Sequence, residues 1–196
     1  SDRDSPFINE RSPSYRRAWK EWKQRGQTAE GRDGEAVGGL QVLLDVERDM
    51  VAALQAARRR RADQDNEGML ARLIAEHFDR RKRLERWIVR LGAVADQDEE
   101  PVGLLPHEAD ELDYRSDHDA ILTALEENYL ALADRYRDAI ELARHRKALG
   151  AALDVCLEPV DGFVFSRAAF APVEGAPPLQ LKKGVIAPVW EWRYSA

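Results

Sequence analysis

Two apolar stripes of helical period, separated by a short polar turn, constrain the fold of this chain more than any other feature. The first stripe runs through residues 40–61 and the second through residues 67–91. In each of them, apolar side chains recur at intervals of three and four residues, as on one face of an α-helix. The connection at residues 63–66 is too short to separate the two helices, so the sequence predicts an antiparallel αα-hairpin.

The hairpin also has a predicted register. With the centre of the turn near residue 64, position i of the first helix should face position 128 − i of the second. Three facing pairs are then apolar on both sides: Leu54 with Ile74, Leu44 with Leu84, and Leu40 with Ile88. Agreement at three points along the hairpin indicates one defined pairing.

A third long helix is predicted from Ser116 or Asp117, either of which can cap it, to about residue 149. A short helix is predicted over residues 14–25. The five glycines between residues 26 and 39 predict a loop, although part of this segment is compatible with a helix. Residues 95–117, which are rich in acidic residues and proline, predict a surface loop that allows a short helical turn after Pro106.

The helical period ends at Gly150, and the remainder predicts an extended tail with short β-structure. Asp161-Gly162 is a candidate hairpin turn between residues 155–160 and 163–167. The predicted fold class is therefore mainly α: an antiparallel bundle of three long helices plus a short N-terminal helix and an extended or short-β tail. The predicted divisions are an arm, the helical bundle and the tail, at residues 1–39, 40–149 and 150–196.

Composition limits the classes of function. The formal net charge of −6 makes nucleic acid an unlikely partner, because phosphate binding needs a basic surface. The single cysteine, Cys156, excludes an internal disulfide and a multi-cysteine metal site. No stretch approaches the roughly 18 apolar residues of a membrane span. We therefore expect a cytoplasmic protein without a membrane span or a cofactor, although a removed leader would leave no trace.

Glu47 is the charged residue that most needs a partner, since its position points into the seam between the first two helices. A buried carboxylate is costly unless it is paired. The register places residue 47 opposite Arg81, so the sequence predicts a buried Glu47–Arg81 ion pair.

A second interpretation of Glu47 comes from other residues in the sequence that can bind a metal ion. His77 lies on the inward stripe of the second helix, and Glu126 and Glu127 lie in the run DHDAILTALEENYLALADRYRDAIE of the third. On these features residues 40–149 resemble the ferritin-like helical bundles, although the Glu-x-x-His motif of that superfamily does not occur. The resemblance implies a carboxylate-bridged metal protein with Glu47, His77, Glu126 and Glu127 as ligands.

The aromatic residues near the two ends of the chain suggest contacts with a partner. Tryptophan and tyrosine are common interface anchors, though these side chains could also fold back onto the bundle. Our leading hypothesis is a non-catalytic structural or adaptor subunit that docks onto itself or onto a larger protein assembly. The expected interface residues are Trp19, Trp22, Trp190, Trp192 and Tyr194.

A weaker alternative is a regulatory protein that binds an anionic partner through its arginines. These cluster at residues 58–61 and 80–83, with Arg86 and Arg90 beyond. The simpler interpretation is that the clusters are solvated helix surfaces that pair with acidic residues, for example those of the loop at residues 96–113.

Overall fold

The structure, a computed structural model, describes residues 31–61, 68–115 and 117–170. This part of the chain is mainly α-helical and contains no β-strand. The short helix predicted over residues 14–25 and the five aromatic residues expected at an interface lie outside it. The helices are α1 (Gly31–Arg61), α2 (Met69–Arg90), α3 (Ala109–Tyr114), α4 (His118–Leu142) and α5 (Lys147–Leu157), followed by a 3-10 turn at Arg167–Phe170.

Helix α1 lies at the centre of the fold. It contacts α2, α3 and α4, and between residues 36 and 57 every residue is buried except Asp45, Ala52 and Gln55. A helix enclosed on nearly all sides is not amphipathic in the usual sense, so the prediction of a single apolar stripe was wrong for α1. The small and β-branched residues between the stripe positions, such as Val46 and Ala53, are fully buried as well.

The glycine-rich segment before residue 40 is helical rather than a loop, because α1 begins at Gly31. Helical glycine costs up to about 1 kcal/mol relative to alanine, but packing compensates here. A Cβ atom on Gly39 would lie 3.2 Å from Leu142 Cδ1 and 3.4 Å from the Cα of Ala139, so the glycine permits α1 and α4 to approach closely. The predicted boundary between arm and bundle, after residue 39, therefore falls inside a helix.

The third predicted helix is divided into two. Helix α4 begins as expected, with the side chain of Asp117 accepting a hydrogen bond from the backbone N–H of Asp119, but it ends at Leu142. A turn then leads into α5, which continues through Gly150 to Leu157. At the turn, Asp33 of α1 accepts hydrogen bonds from His145 and Arg146. The turn between α4 and α5 is thus held against the start of α1, at a place where the sequence predicted one continuous helix.

The tail consequently begins later than predicted. Residues 155–157 belong to α5, not to the first strand of a hairpin, because Leu153 and Cys156 are buried on the inner side of that helix. The expected turn at Asp161-Gly162 does occur, with Gly162 at a positive φ of 67°. After it, Phe163 stacks on Tyr129 with ring centroids 4.2 Å apart. The segment therefore packs through its rings rather than by strand pairing.

The acidic loop after α2 is fastened to α1 by a buried carboxylate. Gly92, with a φ of 84°, follows the end of α2. Asp49 of α1 then accepts hydrogen bonds from the backbone N–H groups of Val102 at 2.6 Å and Leu104 at 2.5 Å. The helical turn allowed after Pro106 is α3. None of the described helices is both long enough and apolar enough to cross a membrane.

Candidate functional site

The candidate site is a buried polar cluster at the centre of the described fold, organised around Glu47 of α1. The Glu47 side chain is fully buried and receives donors from two other helices. From α4, Tyr136 donates its O–H to Oε1 at 2.6 Å. From α2, Arg80 donates its Nε–H to the same oxygen at 3.1 Å, and His77 Nδ1 forms a short hydrogen bond to Oε2. One carboxylate thus joins three helices.

The surroundings of His77 determine which of its nitrogens carries the proton. A carboxylate oxygen can only accept, so Nδ1 donates to Glu47. His77 Nε2 then accepts from the hydroxyl of Tyr129, 2.9 Å away. Arg80 Nη2 lies 3.0 Å from Nδ1, but a guanidinium has no acceptor, so this is a contact between two donors rather than a hydrogen bond.

Electrostatics favour a neutral imidazole between one negative and one positive group. Burial opposes ionisation of Glu47, but the adjacent His77, the charge of Arg80 and the hydrogen bond from Tyr136 together lower its pKa. Burial lowers the pKa of His77. For Arg80 burial opposes the charge, yet the neighbouring Glu47 carboxylate raises its pKa. The cluster therefore contains a Glu47–Arg80 ion pair with no net charge.

Glu47 pairs with Arg80 and not with the predicted Arg81, the next residue along the chain. Arg81 instead donates to Glu99 of the acidic loop at 3.3 Å and lies over the ring of Phe78, with 5.4 Å from its Cζ to the centroid. On an α-helix a shift of one residue turns a side chain by about 100°. The register rule, accurate to about one residue, could therefore place a charge opposite Glu47 but could not choose between neighbouring arginines.

The metal-ligand set implied by the ferritin-like resemblance is not assembled. Glu47 and His77 do meet, but Glu126 accepts hydrogen bonds from Arg167 and, at 3.1 Å, from the backbone N–H of Phe165. Glu127 pairs with His107. Within residues 31–61, 68–115 and 117–170, no group of three or more His, Cys, Asp or Glu side chains could hold a metal ion.

The interpretation of the arginine clusters as solvated surfaces that pair with the acidic loop is confirmed in part: two arginines pair with the loop, but Arg80 and Arg81 are buried rather than solvated. Arg59 pairs with Asp113 at 2.8 Å, and Arg81 pairs with Glu99. Arg60, next to Arg59, donates to the backbone carbonyl of Arg115 at 3.1 Å. These arginines fasten the loop to the helices.

Two tyrosines of the cluster were not recognised as polar anchors from the sequence. In the sequence Tyr129 and Tyr136 follow the apolar period of the third predicted helix, and both are buried. Their seven-residue spacing on one helical face, opposite a helix with an inward glutamate, is the signal that could have identified them. A buried tyrosine hydroxyl needs a partner, and a buried carboxylate needs donors.

In chemical terms, Tyr129, His77 and Glu47 form a hydroxyl–imidazole–carboxylate chain. Such an order can activate a nucleophile when the hydroxyl faces a substrate. Here Tyr129 is only 1% exposed, and burial raises its pKa well above that of free tyrosine. The hydroxyl therefore stays protonated and points at another protein side chain. The arrangement orients helices, and a substrate could reach it only if they separated.

Comparison with known proteins does not associate this geometry with a family. No protein-family model matches the sequence, no curated protein is significantly similar to it, and no solved structure significantly resembles the fold. The chemistry of the described residues is accordingly the basis for the function proposed below.

Proposed function

We propose that this chain is a non-catalytic structural or adaptor subunit that docks onto itself or onto a larger protein assembly. The observation that carries the proposal is the use made of Glu47. Both of its carboxylate oxygens are hydrogen-bonded to side chains of α2 and α4. The groups in the described part that are best suited to acid–base chemistry thus hold the helices in register, which is the task of a scaffold.

The scaffold in this proposal is an antiparallel bundle of α1, α2 and α4. Contacts between α1 and the later chain support it, because they run in opposite order along the sequence. Asp33 contacts Arg146, Gly39 lies against Leu142, and Glu47 meets Tyr136. The Glu47–Arg80 pair connects the same centre of α1 to α2.

The docking elements in this proposal are the aromatic residues near the two ends, which lie outside the described residues. Large aromatic side chains make anchors because they bury much apolar area with few rotatable bonds. The partner would be a second copy or another protein, and the location would be the cytoplasm. The residues concerned are Trp19, Trp22, Trp190, Trp192 and Tyr194.

Size measurement and affinity capture together test the proposal. Light scattering on the full chain should give a mass above that of the 22.3 kDa monomer, or capture from the native source should retain a stoichiometric protein. Replacing Trp190, Trp192 and Tyr194 together by alanine should abolish that association. The matched control is Tyr114→Ala, which removes an 88%-exposed aromatic residue from the described part and should leave it intact.

The proposal fails if the full chain is a monomer that captures nothing, or if the triple variant associates as well as the unmodified protein. It also fails if Tyr114→Ala reduces association as strongly as the triple variant does. Circular dichroism on each variant should show unchanged helix content, so that a loss of association is assigned to the aromatic side chains and not to unfolding.

A further inference from the structure

A groove between α2 and α5 is lined by arginines and apolar residues. Its volume is about 270 Å³. One wall carries Arg83, Arg86 and Arg90 of α2, and no acidic residue lines it. Along the helix axis, Arg83 and Arg90 are roughly 10 Å apart at about 1.5 Å per residue. Three positive charges therefore border one small cleft.

None of these three arginines forms an ion pair with a carboxylate of the described residues. Arg86 donates to the carbonyl of Lys82 in its own helix at 3.2 Å, and Arg90 lies over the ring of Trp87, 5.1 Å from the centroid. Most other described arginines do pair, as Arg59, Arg80 and Arg146 illustrate. Like charges spaced three and four residues apart on a helix repel one another, so the groove favours an anionic occupant.

The floor of the same groove is apolar. Leu84 and Leu153 are each 1% exposed beneath it, and Trp87 is partly buried at its side. Cys156 also lines it, and burial raises the pKa of this thiol, so the sulfur is a neutral wall and not a nucleophile. Any occupant that fills the groove must therefore present an apolar body to the floor while its charge meets the arginines at the rim.

We propose that this groove binds a small amphipathic anion: a carboxylate or similar head group on a compact aliphatic or aromatic body. The guanidinium groups hold the head group through charge-assisted hydrogen bonds, and the leucines and Trp87 cover the body. The volume lies just below the range of about 300–1,000 Å³ typical of small-molecule clefts, which suits a short chain or a single ring. This inference does not depend on the proposed function.

Three probes separate the charge from the apolar body. Octanoate has both, octan-1-ol has only the chain, and acetate has only the carboxylate. Binding to the full-length protein is followed by NMR at the indole N–H of Trp87, assigned by its loss in Trp87→Phe. Octanoate should shift this signal saturably, more weakly as salt is raised, whereas the other two should bind at least about tenfold more weakly.

Matched variants locate the site. Arg83→Gln combined with Arg90→Gln should weaken octanoate binding at least about tenfold, since two charge-assisted contacts are lost. Arg72→Gln is the control, because Arg72 is an exposed arginine of the same helix outside the groove lining. Ala152→Phe, which fills the groove and leaves every charge in place, should also prevent binding.

The inference is overturned if octanoate does not shift the Trp87 signal, or if octan-1-ol binds as tightly as octanoate. It is also overturned if Arg72→Gln weakens binding as much as the double variant. If octanoate fails but an acidic protein is captured only while Arg83 and Arg90 are present, the groove is a protein-docking site and the small-ligand inference is wrong.

Discussion

Helix α2 carries two groups of arginines, and the two groups have opposite surroundings. Arg80 and Arg81 are buried, 6% and 5% exposed, and each is paired with a carboxylate. Three residues further along, Arg83 is exposed and has no carboxylate partner among the described residues, as is also true of Arg86. The residue type and the helix are the same in both groups. The difference lies in what surrounds each group: Arg80 and Arg81 contact the core and the acidic loop, whereas the exposed group lines the groove beside α5.

This comparison teaches that a run of arginines has no single role. The Glu47–Arg80 pair is part of the structure, because both side chains are buried and removing either one leaves an uncompensated charge in the interior. The exposed group adds little to stability, because solvated charges are screened and contribute at most about 1 kcal/mol. With no carboxylate partner among the described residues, the exposed group can bind an anion.

Arg80→Gln should be the most destabilising change. It leaves Glu47 buried beside a neutral group, and breaking a buried ion pair on one side costs about 3–5 kcal/mol. Arg83→Gln, three residues away on the exposed side, should change the free energy of unfolding by less than about 0.5 kcal/mol. Urea denaturation of the two variants checks both values. Equal effects would contradict the division of α2 into a structural and a binding face.

Tyr136→Phe should have the next largest effect. The change removes the hydroxyl that donates to Glu47 at 2.6 Å and leaves the ring in place. Hydrogen bonds to a charged group contribute about 1.5–3 kcal/mol, so a loss of that size is expected in urea denaturation. Tyr114→Phe, at an 88%-exposed tyrosine, is the control and should be neutral. A neutral result for both would show that Glu47 does not rely on α4.

Asp49→Asn tests the second buried carboxylate of α1. Its two oxygens accept from Val102 and Leu104, and an asparagine would turn an N–H₂ group toward one of those donors. Leaving a buried donor unsatisfied costs about 1–3 kcal/mol. Faster amide exchange at both residues would locate the loss in the acidic loop. Asp154→Asn, at an exposed position of α5, is the control and should change neither the stability nor the amide exchange. Exchange at Val102 and Leu104 that is no faster in Asp49→Asn than in the unmodified protein would refute the anchoring role.

His77 should make stability depend on pH. Because burial lowers its pKa in the folded state below the ordinary value of 6.5, the unfolded chain binds the proton more readily. The stability that comes from a neutral His77 is fully present above pH 6.5. As the pH falls from 6.5 toward the pKa of His77 in the folded state, this stability is lost by up to about 1.4 kcal/mol per pH unit. His77→Gln should have a flatter profile between pH 6.5 and 5.5. Identical slopes in the two proteins would rule out a neutral buried His77.

Local signals in the sequence predicted much of the secondary structure. Gly92 ends α2 because glycine adopts a positive φ without strain, and Asp117 caps α4 because its carboxylate reaches a free backbone N–H. The few residues between the two predicted helices correctly predicted that these helices contact each other. Each of these features depends on a few neighbouring residues, so it can be recognised without knowledge of the rest of the fold.

The errors arose where distant segments meet. The start of α1 depends on Gly39 lying against α4, a contact between residues about a hundred positions apart. The break after Leu142 depends on Asp33 binding His145 and Arg146. The partner of Glu47 depends on the rotation of α2, where an error of one residue exchanges Arg80 for Arg81. None of these can be obtained from periodicity within one segment.

By itself, the sequence determined that the described chain is helical, where α2 ends, and that Glu47 would need a buried positive partner. Hydrophobic period, capping residues and the cost of a buried charge are sufficient for those conclusions. Three features emerge only once the helices have packed: α1 is enclosed on nearly all sides, Tyr129, His77 and Arg80 converge around Glu47, and Arg83 and Arg90 border a groove. The physical reason is that burial and electrostatic environment are properties of neighbours in space, and those neighbours come from separate helices.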